Sequence, residues 1–337
     1  MRSNLVGASG LRYSRRPMGR VQDLGDKATW LLPPRCIFGR SRVCLVRSVA
    51  SDISGEHASL RWTGGGWELQ DLHSRNGTFV AGARLEPGAR VALSEGVVFG
   101  LGRAESFVLT DAGPPEAFAV PHGGGPQIGA LGGLLALPEP AAPDLMIFLV
   151  GGAWMVERAG EVVPVADGEI VQAGARSWQL HLPEVLPETE ESGAAPPRID
   201  NISLRFHVSR DEEYVELVAL HGARTLDLKA RSYHYTLLML ARARLRDRAL
   251  PLDQQGWIQQ SDLLAMLRVD PGHLHLDIYR LRRQLGEAGI ADAGGVVERR
   301  QGTRALRIGV ARLEICVLTG DVGSRRNDAG VRLSPDT

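Results

Sequence analysis

The sequence is poor in cysteine, in lysine, in aromatic residues and in long apolar runs. Three cysteines (Cys36, Cys44, Cys316) among 337 residues cannot build a disulfide framework, and such sparing use points to a reducing compartment. No run of about 18 apolar residues occurs, so no membrane-spanning helix is expected. The best candidate, 145–156, is short and carries the pair Gly151-Gly152. The arginines near the N-terminus are not followed by an apolar core and a cleavage site, which argues against a secretory signal. Lysine is limited to Lys27 and Lys229, so almost all positive charge is arginine; with so much Ala and Gly, this reads as genome base composition. The nine histidines show no metal-ligand spacing with cysteine, and His234, His273 and His275 read as surface or core residues. The glycine runs 64–66, 123–125 and 132–133 lack the Lys-Ser/Thr or strand-to-helix context of a phosphate loop. No enzyme activity, cofactor or metal is therefore expected. What is present, 44% hydrophobic and 23% charged residues, suits a soluble cytoplasmic chain of two or three domains.

The formal net charge of zero conceals an uneven distribution. Basic and acidic side chains number six and two over 1–27, nine and eight over 28–112, three and eleven over 113–198, and eighteen and fifteen over 199–316. The expected organisation is multidomain: a basic flexible tail (1–27), an all-β block (28–112), a Gly/Pro-rich linker (113–143), a small β module (144–182), a second linker (183–198), an α+β block (199–316) and a flexible tail (317–337). The linkers are inferred from composition, because such segments hold too little apolar surface to order themselves.

The first block reads as short strands at 58–62, 67–71, 78–80, 90–93 and 106–109, separated by Gly-rich turns, the pattern of a β-sandwich. Trp62, Trp67 and Phe79 are expected in its core. Its specific residues are Gly39-Arg40, then 54–57 (Ser-Gly-Glu-His), then 71–78 (Asp-Leu-His-Ser-Arg-Asn-Gly-Thr), with Gly82 and Gly88 beyond. This series resembles a forkhead-associated (FHA) domain. The resemblance covers about 80 residues. It implies a β-sandwich that binds phosphothreonine peptides through loops at one end, with Arg40, Ser54, Arg75 and Asn76 facing the ligand. The chemistry agrees: a phosphate monoester carries nearly two charges and three acceptor oxygens, which a guanidinium, a hydroxyl and an amide on preset loops can satisfy. His57 is expected to brace the loops. The 144–182 module faintly echoes residues 67–109 without the phosphate-loop residues, and reads as a β-extension.

The third block opens with strands at 202–208, 214–220 and 225–228 and then turns helical. Asp270-Pro271 is a helix start, with Asp as N-cap and Pro at the first helical position. Leu274, Ile278, Leu281 and Leu285 form its inner stripe. His273, Asp277, Arg280 and Gln284 share another face, with Arg283 beside it. A hairpin follows, at 296–300 and 305–308. Residues 274–285 resemble the recognition helix of the winged helix-turn-helix output domain of OmpR/PhoB-type response regulators, over about 115 residues in all. That resemblance implies double-stranded DNA as a partner, read by Arg280, Arg282 and Arg283 of the helix and Arg299, Arg300 and Arg304 of the wing, with a homodimer among the expected assemblies. The alternative for these arginines is a solvated, ion-paired surface. Over 273–304 six arginines stand against four acids, a thin excess for phosphate neutralisation.

Two functions stay open at this point. The first is a bacterial signalling protein that couples a Ser/Thr kinase, through a phosphothreonine-containing protein, to transcription. The second is a non-catalytic phospho-dependent adaptor whose winged helix contacts protein.

Overall fold

The computed structural model describes residues 18–103, 105–184 and 195–318. Most of the expected basic tail (1–17), the acidic part of the second linker (185–194) and the C-terminal tail from 319 lie outside the described residues. The chain divides into two compact units: residues 1–148 with 152–156 and 164–188, and residues 149–151 with 157–163 and 189–337.

The first unit opens with eleven strands: β1 (Arg20–Asp23), β2 (Thr29–Leu31), β3 (Arg35–Gly39), β4 (Val46–Arg47), β5 (Ala58–Trp62), β6 (Trp67–Asp71), β7 (Thr78–Val80), β8 (Ala83–Arg84), β9 (Arg90–Leu93), β10 (Val98–Leu101) and β11 (Glu105–Asp111). They form two sheets, ordered β2-β1-β11-β10-β7-β8 and β4-β3-β5-β6-β9. Alternation decides which side chains meet between them. In β6, Trp67, Leu69 and Asp71 point in while Glu68 and Gln70 point out. Phe38, Phe99 and Phe107 pack edge-on or stacked at 5.4–5.5 Å between centroids, with Leu60, Leu69 and Trp67 around them. Trp62 is only partly buried, and Phe79 on β7, also partly buried, lies outside this core, contrary to expectation.

The sandwich begins earlier than composition suggests. Residues 20–23, assigned to the flexible tail, pair with both β11 and β2. The 113–143 stretch is likewise not a linker. It holds β12 (Phe118–Pro121), β13 (Ile128–Gly129) and β14 (Leu134–Leu137). β15 (Leu145–Val150), β16 (Ala153–Arg158), β17 (Glu161–Pro164), β18 (Ile170–Ala173) and β19 (Arg176–His181) follow. A sheet ordered β13-β12-β19-β18 and the antiparallel pair β14–β15 enclose a second core of Leu135, Leu137, Leu145, Ile147, Trp178 and Leu180. The β module therefore starts near 117, not at 144. Its glycines sit at turns (Gly123, Gly124 and Gly133 have φ of 84°, 89° and 75°), while the apolar words between them are strands too short to register in an averaged composition. Phe118 packs on Met18 and Leu31 of the sandwich, and Trp67 Nε1 donates to the Gly113 carbonyl at 2.9 Å.

The second unit contains a sheet of β20 (Ser203–Val208), β21 (Val215–His221), β22 (Arg224–Ala230) and β26 (Arg312–Val317), ordered β22-β21-β20-β26. β26 runs parallel to β20 and pairs with it from Ser203–Arg312 to Val208–Val317. Helices α1 (His234–Arg246), α2 (Gln260–Leu267) and α3 (Pro271–Glu287) follow. A second sheet, ordered β23-β25-β24, joins β23 (Ile258–Gln259) to the hairpin of β24 (Val297–Arg300) and β25 (Ala305–Ile308). Asp270 caps α3 by accepting from the His273 N–H at 3.0 Å. Leu274, Ile278, Leu281 and Leu285 are buried, each at most 1% exposed. Among the described residues, no helix is long and apolar enough to cross a membrane.

Candidate functional site

At one end of the sandwich three loops and a turn are stitched together by backbone. The Arg40 N–H donates to the Ser54 carbonyl at 3.0 Å and the Ser41 N–H to the Gly55 carbonyl at 2.9 Å. The contact requires glycine at position 39, because a Cβ there would run into the Gly55 carbonyl. His57 does brace this end, fully buried. Its Nδ1 accepts from the Ser54 N–H at 3.1 Å, and its Nε2 meets the Gly77 carbonyl at 3.0 Å. Since a carbonyl only accepts, Nε2 carries the proton, and a neutral imidazole serves both bonds.

Asp71, at the end of β6, holds the 72–77 loop. Its carboxylate accepts from the Ser74 hydroxyl at 2.6 Å, the Thr78 hydroxyl at 2.7 Å and the Ser74 N–H at 3.1 Å, and the Ser74 oxygen accepts from the Gly77 N–H at 3.1 Å. Burial pushes the Asp71 carboxyl up, but these hydrogen bonds outweigh it and hold the group below its ordinary value. The Ser-x-Asn-Gly-Thr run is thus a loop whose two hydroxyls are spent inward, which turns Arg75 and Asn76 outward.

The structure brings Arg40, Ser54, Arg75 and Asn76 together. Arg40 Nε donates to the Ile53 carbonyl, which leaves its two terminal nitrogens facing outward. The Ser54 oxygen accepts from the Arg75 N–H at 3.1 Å, so its own proton stays available to an acceptor. Asn76 donates to the Asp52 carbonyl at 2.6 Å, which leaves its amide oxygen to accept. Both arginines and Asn76 are exposed, and Ser54 is half-buried. Sequence reasoning missed three contributors. Arg47 donates from Nε to the Arg40 carbonyl at 3.3 Å, and the Asp52 carboxylate accepts from the Arg103 N–H at 2.9 Å. Nothing in the local pattern marks Arg47, Asp52 or Arg103, because only the fold makes them neighbours.

The six arginines expected on DNA divide sharply. Arg282 and Arg299 are buried, with side chains 1% and 4% exposed. Both converge on Glu157, itself fully buried: Arg282 donates to it at 2.6 Å and Arg299 at 2.8 Å. Arg282 also donates to the Gly294 and Val297 carbonyls, and Arg299 to the Gln260 side chain at 3.0 Å. Burial alone would raise the Glu157 carboxyl, but the charges of Arg282 and Arg299 with their hydrogen bonds bring it down to about 2. These two arginines are therefore structural, which corrects the expectation for both. Asp277 and Gln284, expected on an outer face, are also buried. Asp277 accepts from Thr236 at 2.8 Å, and Gln284 bonds His234 at 2.7 Å and the Leu228 carbonyl at 2.6 Å.

Of the remaining four, Arg280 is 3.9 Å from Asp277 and Arg283 donates to Glu287 at 2.8 Å, both with side chains about two-fifths exposed. Arg300 and Arg304 are exposed at the hairpin, where Arg300 lies 5.7 Å and Arg307 lies 4.5 Å from the Trp257 ring. From 274 to 287 the positions of α3 that are not buried are 275, 276, 280, 283 and 287.

Residues 36–102 match the FHA domain family and form an FHA domain. Among solved structures, the N-terminal FHA domain of S. cerevisiae Rad53p in complex with a phosphothreonine peptide is 23% identical, with 27% of this chain and 90% of that one covered at a TM-score of 0.25. The FHA domain of an Arabidopsis thaliana protein is 27% identical, covering 33% and 98% at 0.28. Mycobacterium tuberculosis EmbR in complex with a low-affinity phosphopeptide is 20% identical, covering 29% and 25% at 0.27. No curated protein matches the chain.

Proposed function

We propose that this chain is a non-catalytic signalling protein that binds a phosphothreonine-containing protein through its FHA domain. One observation carries the reading: a guanidinium, a hydroxyl proton and an amide oxygen converge, from three separate loops, on one exposed end of the sandwich. Arg40 supplies charge to the phosphate, Ser54 donates to one of its oxygens, Asn76 fixes the peptide main chain, and Arg75 lines the same face. A Ser/Thr kinase substrate, or the kinase itself, is the partner of matching chemistry. Titrating the full chain with phosphorylated and plain threonine peptides tests this. Arg40→Ala should lower phosphopeptide affinity tenfold or more, about the value of a charge-assisted hydrogen bond, with the thermal unfolding unchanged.

The second unit we read as a winged helix-turn-helix, with α3 as recognition helix and the β24–β25 hairpin as wing. Its DNA-facing set is then Arg280, Arg283, Arg300 and Arg304, and the protein couples phosphorylation to transcription. A second reading, an adaptor whose α3 surface meets protein, is favoured by Glu157. That residue withdraws two of six arginines from any phosphate, and affinity for DNA rests largely on such contacts. Binding of the full chain to duplex DNA at about 50 and 200 mM salt decides between them, since a steep fall with salt supports DNA and flat, weak binding supports the adaptor.

A further inference from the structure

The arginines at the ligand end of the FHA domain outnumber what one phosphate needs. Arg40, Arg42, Arg47, Arg75 and Arg103 are all exposed, and none makes an ion pair among the described residues. Two are aimed by backbone, since Nε of Arg40 and Nε of Arg47 are committed to the Ile53 and Arg40 carbonyls, so their terminal nitrogens remain for a ligand. The acids of these loops form no ion pair with them among the described residues. The Asp52 carboxylate accepts from the Arg103 N–H, and Asp71 is turned inward on Ser74 and Thr78, while Glu56 is exposed. Asp52 sets the arrangement: its carbonyl holds the Asn76 side chain and its carboxylate holds the Arg103 backbone, so Arg103 stands on the Asn76 side of the site. Arg47 stands on the Arg40 side.

We propose that Arg47 and Arg103 form flanking anion subsites, and that the preferred ligand is a phosphothreonine set in an acidic stretch, its neighbours being carboxylates or a second phosphate. This rests on the reading of the loops as a phosphothreonine site. A phosphate dianion with three acceptor oxygens can engage the central guanidiniums, and a lone phosphopeptide leaves the two outer ones hydrated. An anion within reach of either gains an exposed charge pair, and several such pairs acting together raise both association rate and affinity.

The test uses the full chain and three labelled synthetic peptides: one phosphothreonine with neutral flanks, one with glutamates on both sides, and one with a second phosphothreonine nearby. The acidic and doubly phosphorylated peptides should bind about five- to tenfold tighter than the neutral one. That advantage should shrink at about 0.5 M salt, where exposed charges are screened. Arg47→Ala with Arg103→Ala should erase the advantage of the acidic and doubly phosphorylated peptides over the neutral one, whereas Arg40→Ala should weaken all three and leave their order standing. A larger gain from the second phosphate than from glutamate would identify a doubly phosphorylated partner; equal gains would identify an acidic one. Equal affinity of the wild type for all three peptides would overturn the flanking subsites and leave the phosphothreonine reading standing. Failure to tell phosphorylated from plain peptide would overturn both.

Discussion

Replacing Glu157 should cost the second unit more than any other single change of charge. The residue is fully buried and faces two guanidiniums that are themselves almost fully buried. Removing one partner of a buried ion pair leaves uncompensated charge and costs about 3–5 kcal/mol. The carboxyl gives a second route to the number. Lowered from 4.5 to about 2, it contributes roughly 3 kcal/mol at about 1.4 kcal/mol per unit. Because the folded value is the depressed one, this contribution is complete above about pH 4.5 and is lost as the pH falls towards 2. Glu157→Gln in the full chain should therefore lower the melting point of the second unit by about 10 °C at neutral pH. It should also raise hydrogen exchange across α3 and β24, and the difference from wild type should narrow steadily below pH 4.5. An unchanged melting point with full protection of α3 would refute the role given to this cluster, as would a difference that stays constant down to pH 2.

Gly39→Ala should separate the Arg40 and Ser54 loops, because the new Cβ meets the Gly55 carbonyl; phosphopeptide binding should fall at least tenfold with the far end of the sandwich still protected from exchange. Asp71→Asn should lower stability and loosen the 72–77 loop. With the wild-type carboxyl held below its ordinary value, its contribution to stability should be complete above the ordinary carboxylate range and be lost on acidification through the folded value, as read by thermal unfolding of wild type and variant at stepped pH. On DNA, Arg280→Ala should cost on the order of 1–3 kcal/mol on a preferred site and far less on random duplex, while Arg300→Ala should weaken both and flatten the salt slope by about one unit. Leu281→Ala is the control that removes roughly 2–5 kcal/mol of core packing and all activity with it.

What could be read from the chain follows the range of the interaction involved. The FHA loops were legible because their signature is local: Asp71, Ser74, Gly77 and Thr78 satisfy one another within seven residues, so the fold is written as a contiguous word. The inner stripe of α3 was legible for the same reason, since Leu274, Ile278, Leu281 and Leu285 repeat with the helix period. The outer faces of that helix were not. Helical geometry groups Asp277, Arg280, Arg282 and Gln284 as polar, but burial of a polar side chain is decided by its partner. The partner of Arg282 lies 125 residues away, and that of Gln284 lies 50 away on α1. The 113–143 stretch failed differently, because composition averages turns and strands, and strands of two to four residues vanish among the glycines and prolines that connect them.

The most direct test of the whole account is a titration of the full chain with one threonine peptide in its phosphorylated and unphosphorylated forms, repeated with Arg40→Ala. The account predicts saturable binding of the phosphorylated form alone, weakened tenfold or more in the variant. Equal binding of both forms, or an affinity that Arg40→Ala leaves unchanged, would contradict it.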